Sequence, residues 1–345
     1  MKKRCLLLTL VLSCAIGGAA TAFDTIKTGK GSLYGEIVGM DSAKVEMRQT
    51  GNALVKQIPV NEIQTIFYEG ESPDLKAAKN HVLAGRYAAA FAALKKIEKT
   101  PNRQEMVQDI EFYKALCAAK LALAGNMKIV DAGHLMKAFA DANPKSYHYF
   151  EASEVVGDLL VAVGSYAPAA EYYARLDIAP WLDYRMRAGV AAGRALLDQG
   201  KIEEALADFD KVLATNAEGD LAQQQRMAAT LGKAGALVAL KKSDEAIKTV
   251  EGFLEKADPE NTQLMARAYN ILGTGQRQAG RPKEALLAFL HVDVLYAAVP
   301  EAHAEALANL VDLWEQVHRT ERANRARKTL EERYPESPWT RKMGK

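Results

Sequence analysis

The sequence predicts a mainly α-helical protein: an α-solenoid of about seven helix–turn–helix units, preceded by a small all-β barrel. Three observations carry this expectation. Alanines recur at Ala90, Ala132, Ala169, Ala205, Ala246, Ala285 and Ala323, spaced 36 to 42 residues apart. Gly85, Gly164, Gly200 and Gly280 each stand five residues before one of those alanines, where a helix must stop and reverse. Ahead of residue 70 the apolar period is two instead of that of a helix.

The first element is an address. Lys2-Lys3-Arg4 precedes a short apolar run from Cys5 to Ile16, and small residues follow to Ala20-Thr21-Ala22. This is the plan of a secretory signal with cleavage before Phe23, so residues 1–22 are expected to be removed and the product to be periplasmic. The run is too short to span a bilayer, which takes roughly 20 residues. An alternative is lipid attachment at Cys14, in Val11-Leu12-Ser13-Cys14, although Leu12 is bulky where such a box prefers a small residue. Removing Lys2, Lys3 and Arg4 takes the formal charge from +2 to −1. A near-neutral chain lacks the footprint of a general nucleic-acid binder. No later run is long and apolar enough to be a transmembrane segment.

Residues 23–70 form the expected β module. Lys44-Val45-Glu46-Met47-Arg48 alternates, as do Leu33, Gly35 and Ile37 with Tyr34 and Glu36. Gly51-Asn52 reads as a two-residue hairpin turn. Leu54 to Ile58 follows, stopped by Pro59, and Ile63 to Tyr68 closes the set. So many short strands in so few residues must curl to cover one core. The run from Gly31 to Tyr68 resembles a small Sm-like barrel.

Residues 71–345 carry the helical repeat. Twelve residues before six of the alanines stand Ala78, Gly157, Gly193, Ala234, Gly273 and Val311, nearly all small, as two closely crossed helices require. The second unit fits only with a two-residue insertion, which sets Ala118 opposite Ala132. Four residues after the alanines come Leu94, Met136, Tyr173, Phe209, Val250 and Phe289, with Arg327 the exception. The positions seven after (Ile97, Phe139, Leu176, Val212, Phe253, Val292, Leu330) are all apolar and should fill the space between units. Pro101, Pro144, Pro180, Pro259 and Pro335 end the second helices. Gly85-Arg86-Tyr87-Ala88-Ala89-Ala90 and Gly164-Ser165-Tyr166-Ala167-Pro168-Ala169 match the turn of the tetratricopeptide repeat family, which this pattern resembles. Tyr334-Pro335-Glu336-Ser337-Pro338-Trp339 is similar to the end of such repeats in bacterial envelope proteins. The spacing exceeds that family's roughly 34 residues, and its first-helix Trp is missing.

The chemistry-bearing residues are sparse. No two of the six histidines stand three to five apart, and no Cys-x-x-Cys occurs, so no metal site is expected. Gly273-Thr274-Gly275 lacks the third glycine of a dinucleotide loop, Gly200-Lys201 and Gly232-Lys233 lack the rest of a phosphate loop, and no Gly-x-Ser-x-Gly occurs. No catalytic residue and no cofactor are expected. Cys117, in Leu116-Cys117-Ala118-Ala119, reads as a small buried hydrophobe.

What remains is a surface. In the resembled family the first helices line a concave groove that takes a peptide or a partner helix. The resemblance implies that this groove shows Glu151, Glu154 and Asp158 in the third unit, Arg187 and Arg194 in the fourth, and Arg267, Asn270, Thr274 and Arg277 in the sixth. Arginines there would grip carboxylates in bidentate fashion. The basic stretch from Arg319 to Lys345 reads as a polar cap on the solenoid. The sequence thus points to an exported, non-enzymatic scaffold that binds a protein or peptide of the cell envelope and no nucleic acid. A lipid-anchored scaffold of an envelope assembly or secretion complex, an accessory subunit of an enzyme, and a self-associating protein are the alternatives.

Overall fold

The structure, a computed structural model, describes residues 23–49, 54–99 and 101–343. The expected signal segment, with Cys14 and its cleavage site, and the expected Gly51-Asn52 turn lie outside the described residues.

The chain begins as a five-stranded antiparallel sheet: β1 (Asp24–Thr28), β2 (Gly31–Met40), β3 (Lys44–Gln49), β4 (Val55–Pro59) and β5 (Ile63–Phe67), in the order β4-β3-β2-β1-β5. A single 3₁₀ turn, Val60–Glu62, joins the two outermost strands. The alternation read from the sequence sets the faces: Val45 and Met47 of β3 are buried, as are Ile26 and Ile66 on β1 and β5. Gly35 is required where β2 bends against β3, since a Cβ there would lie 2.2 Å from the Arg48 carbonyl oxygen.

From Pro73 the chain is a solenoid of seven antiparallel helix pairs. They are α1 (Pro73–Leu83) with α2 (Tyr87–Lys95), α3 (Gln104–Leu123) with α4 (Ile129–Ala142), and α5 (Tyr149–Ala162) with α6 (Tyr166–Ala174). Next come α7 (Leu182–Asp198) with α8 (Ile202–Ala214), and α9 (Asp220–Ala239) with α10 (Ser243–Leu254). The last are α11 (Thr262–Gln278) with α12 (Pro282–Leu295) and α13 (Pro300–Gln316) with α14 (Thr320–Arg333), followed by a short α15 (Pro338–Met343). No helix among the described residues is long and apolar enough to cross a membrane.

All seven repeating alanines are buried. The small residues twelve before them play a different part from the one expected, because they do not simply let two backbones touch. Gly157, Gly193 and Gly273 each receive the ring that stands four after the alanine: a Cβ on them would meet Tyr173 at 2.3 Å, Phe209 at 2.7 Å and Phe289 at 2.7 Å. The Phe209 ring also lies where a Cβ of Gly232 on α9 would fall, at 2.4 Å, so one side chain joins two units.

The reversal within each pair is a left-handed residue closed by paired backbone bonds, such as Gly200 N–H to Leu197 O and Lys201 N–H to Leu196 O, both 2.9 Å. In the second unit Gly125 takes this place in a loop two residues longer, as the insertion required. The fifth and seventh units have no glycine there; Lys241 (φ 60°) and His318 (φ 59°) are forced into the same conformation. A side chain in that region is strained. Lys241→Gly is therefore expected to stabilise the fold by about 0.5–1 kcal/mol after the larger chain entropy of glycine is subtracted. Urea denaturation, with Lys241→Ala as a control that gains nothing, measures it.

The sheet and the helices share a buried ionic junction. Lys79 of α1 is fully buried, and its Nζ donates to the Ile66 carbonyl of β5 at 2.6 Å. It pairs with Glu71 and with Asp109 of α3, each at 2.7 Å, and Asp109 in turn meets His148 Nε2 at 2.9 Å. Arg103 grips Asp24 of β1 with two bonds of 2.8 and 3.0 Å. Cys117 is buried as expected, and burial pushes its thiol up to about 12, far from a nucleophile's range.

Candidate functional site

The first helices of successive pairs pack side by side: α3 on α5, α5 on α7, α7 on α9, α9 on α11 and α11 on α13. Spacings of three and four residues align side chains on one helix face. On α5 this selects Glu151, Glu154 and Asp158. On α7 it selects Arg187, Arg194 and Asp198; on α11, Arg267, Asn270, Thr274 and Arg277; and on α13, Glu301, Glu305 and Asp312.

Several of these side chains tie neighbouring units together. Arg187 forms a short ion pair with Glu154, joining α7 to α5. Arg277 donates to Asn309 Oδ1 and Asp312 Oδ2 of α13, both at 3.1 Å. Asn270, expected on the groove surface, is instead 2% exposed: its amide donates to the Ala302 carbonyl at 2.9 Å and to Glu305 at 3.1 Å. A buried amide must find partners, and here α13 supplies them. Thr274 is likewise occupied, donating to the Asn270 carbonyl of its own helix at 2.9 Å. Asp158 accepts the Tyr173 hydroxyl at 2.9 Å.

Two arginines are left over. Arg194 and Arg267 make no ion pair or side-chain hydrogen bond among the described residues, and Arg194 is exposed to water. The crowding of protein around Arg267, reinforced by the charge of Arg194, pulls its guanidinium down to about 9. The two cations thus disfavour each other across the curve. At Arg194 the crowding of protein around its stem disfavours the charge, but the acids Asp158 and Glu301 outweigh it and hold the charge in place. Burial pushes Glu305 up to about 7 even though Arg267 and Lys342 oppose it, so near neutral pH this carboxyl is only partly ionised beside Arg267. Lys120 of α3 joins the set, its charge favoured by Asp158, Tyr87 and Glu301 against the pull of burial.

The sequence reading named Glu154, Asp158, Arg187, Arg194, Arg267 and Arg277 for this surface and did not include Lys120, Asp198, Glu301, Glu305 and Lys342, whose charges act on them or on one another. Of these, continuing the family alignment into the seventh unit would have found Glu305, which stands 18 residues before Ala323 as Arg267 does before Ala285. A surface depression of about 310 Å³ lies elsewhere, beside Phe23, Asp24, Glu36 and Arg103. Its arginine and two of its acids are already engaged, Arg103 with Asp24 and Glu36 with Arg48. Among the described residues no group of His, Cys, Asp and Glu could hold a metal ion.

No family model matches the chain, and no curated protein matches it. Solved structures similar to it include a tetratricopeptide repeat protein from Parabacteroides merdae, at 15% identity and TM-score 0.48, over 75% of this chain and 91% of that one. A Rap protein complexed with competence and sporulation factor is also similar, at 15% identity and TM-score 0.48, over 78% and 77% of the two chains. A third is the Rap conjugation gene regulator of the plasmid pLS20 in complex with the Phr* peptide, at 13% identity and TM-score 0.41, over 76% and 87%.

Proposed function

We propose that the protein is an exported, non-enzymatic scaffold of the tetratricopeptide repeat family that binds a carboxylate-bearing peptide or protein partner on its inner face. The observation that carries this reading is the pair of unpartnered arginines, Arg194 and Arg267, on a concave surface where their neighbours are engaged. A carboxylate placed between them gains two charge-assisted contacts and relieves their mutual repulsion. An array of helix pairs builds accessible surface, which suits recognition.

The order of the sheet, with β4 and β5 as its edges joined by one 3₁₀ turn, supports reading residues 23–70 as an Sm-like assembly module. The signal-like residues 1–22 support export to the periplasm and a partner in the cell envelope.

Arg194→Glu is expected to leave helical circular dichroism and melting unchanged while weakening capture of the cellular partner at least as much as a lost ionic hydrogen bond implies, about 1.5–3 kcal/mol. Pull-down from cells expressing the tagged variant checks it. Unchanged capture by the folded variant would falsify the inner-face reading.

A further inference from the structure

We propose that the outer surface of the sixth and seventh units docks on an anionic phospholipid surface, with apolar side chains of α12 entering the headgroup boundary and arginines of α14 holding lipid phosphates. The two helices are the second members of neighbouring pairs, and the same repeat positions carry both sets of residues. Leu287 and Arg325 each stand two residues after the marker alanine, and Leu295 and Arg333 each stand ten after it. Equivalent positions of adjacent repeats face the same way, so the apolar and the basic groups lie side by side.

A surface helix is ordinarily apolar on one side only, and α12 is apolar on both. Ala285, Phe289 and Val292 are buried, yet Leu287, Val294 and Leu295 are 61%, 72% and 61% exposed. Leu287, His291 and Val294 follow spacings of four and three, which is one face of a helix, and Leu295 borders it. The helix carries two carboxylates, Glu284 in its first turn and Asp293, and Asp293 is engaged with His303 Nε2 at 2.9 Å. Single exposed leucines are ordinary, but a continuous uncharged stripe marks a contact surface.

The polar cap expected from the sequence has only to be polar, but α14 is polar with one sign along one face. Arg322, Arg325, Thr329 and Arg333 follow spacings of three, four and four, a stripe without an acid in it. Elsewhere on the solenoid exposed bases meet acids closely, as Lys211 meets Asp208 and Arg281 meets Asp244, both at 2.8 Å. Arg322 and Arg333 have no ion-pair partner among the described residues, and Arg325 reaches Glu321 only at 3.7 Å with both side chains largely exposed. Such a pair holds little energy and opens readily. Glu331, the unpaired acid of this helix, falls on nearly the opposite side by the same spacing. Like charges three and four residues apart cost a helix stability, and an anion laid along the stripe removes that cost.

The combination selects the partner. Guanidinium groups bind phosphate in bidentate fashion, and a bilayer sets its phosphates above an acyl boundary that accepts leucine and valine. Trp314 fits the same placement: it is half-buried, with the Arg322 guanidinium 4.7 Å from the centre of its ring, and tryptophan rings suit the headgroup level. A second copy of the chain fits poorly, because a symmetric pairing of this surface sets arginines against arginines. A nucleic acid offers phosphates but no apolar layer to receive the leucines of α12.

The test is flotation of the chain from Phe23 onward, so that the apolar leader plays no part, with vesicles of one part phosphatidylglycerol to two parts phosphatidylcholine and with vesicles of phosphatidylcholine alone. Binding to the anionic vesicles is expected to be roughly tenfold or more tighter and to weaken as salt is raised. Arg322→Gln, Arg325→Gln and Arg333→Gln together should lower it roughly a hundredfold and remove both the lipid preference and the salt dependence. Leu287→Gln, Val294→Gln and Leu295→Gln together should lower it roughly tenfold and leave the salt dependence in place. Lys201→Gln, Lys248→Gln and Lys256→Gln together change the net charge as much as the arginine variant does, on the fourth and fifth units, and should leave binding unchanged. All these side chains are exposed or lie in the stripe itself, and circular dichroism checks that each variant keeps its helices. Failure of the intact chain to bind the anionic vesicles, or equal binding to both kinds, overturns the proposal. A loss from the lysine variant as large as that from the arginine variant also overturns it, since net charge alone would then be the cause.

Discussion

Replacing Lys79 by methionine is expected to lower stability by about 3–5 kcal/mol at pH 7, the usual cost of leaving a buried charge without its partner. Lys79 is the hub of the junction between sheet and solenoid, with 0% of its side chain exposed and Glu71 and Asp109 on either side. Methionine fills the volume but strands two buried carboxylates, and Tyr68, whose ring lies 4.7 Å from the ammonium, loses its cation. The pH dependence separates the ionic cause from a packing cause. Burial pushes Asp109 upward, but Lys79 and His148 outweigh it, so its folded value lies below the ordinary one. Its ion-pairing therefore stabilises the fold above about pH 4, the unfolded value, and the benefit is lost as pH falls through the folded one. Glu71 is shifted upward, with burial the largest cause, so its ionisation costs stability above the unfolded value. Without Lys79 both carboxylates prefer to be protonated, and the deficit of the variant should shrink between pH 7 and pH 4. Urea titrations of both chains at the two values measure this; a deficit that does not change with pH contradicts the ionic account.

Phe209→Ala is expected to cost about 3–5 kcal/mol, the range for a fully buried phenylalanine. Its ring occupies the space beside Gly193 and Gly232, so truncation opens a cavity at the boundary between the fourth and fifth units. Stability in a repeat array is a sum of units and their interfaces, and a damaged interface in the middle splits the cooperative block. A broadened or two-step denaturant transition should accompany the lower midpoint. Gly193→Leu attacks the same contact from the opposite side: even its Cβ falls 2.7 Å from the ring, and the rest of leucine has no place to go. Its melting temperature should fall, while Arg194→Glu, one residue further along the same helix, should leave melting intact. Adjacent residues with opposite phenotypes are what a helix with one buried and one exposed side predicts.

The repeat was legible because it is periodic. Ala90 through Ala323 mark the crossings, and Gly85, Gly164, Gly200 and Gly280 mark the turns, at a spacing that survives loops of varying length. The part played by Gly157, Gly193 and Gly273 was only half legible, since the sequence says the site is small but not which ring fills it. Asn270 was misplaced because a polar residue on a first helix looks solvent-facing until the next unit closes over it. The Lys79 junction left one signal: Lys79 follows Leu75 by four residues, on the face where an apolar residue is due. Its partners Asp109 and His148 lie 30 and 69 positions on, outside any local pattern. The close approach of Gly125, in the turn between α3 and α4, to Ser337 was invisible for the same reason, since the two stand 337 − 125 = 212 positions apart.

The most direct test of the central claim places a photo-crosslinking amino acid at Thr274, beside Arg277 and Asn270 on the inner face, in the tagged protein expressed in its own cells. Crosslinks to one other protein or peptide, identified by mass spectrometry and abolished by Arg194→Glu in a chain that still folds, are the predicted result. Crosslinks only between copies of the protein itself, or crosslinks that survive Arg194→Glu, would contradict it.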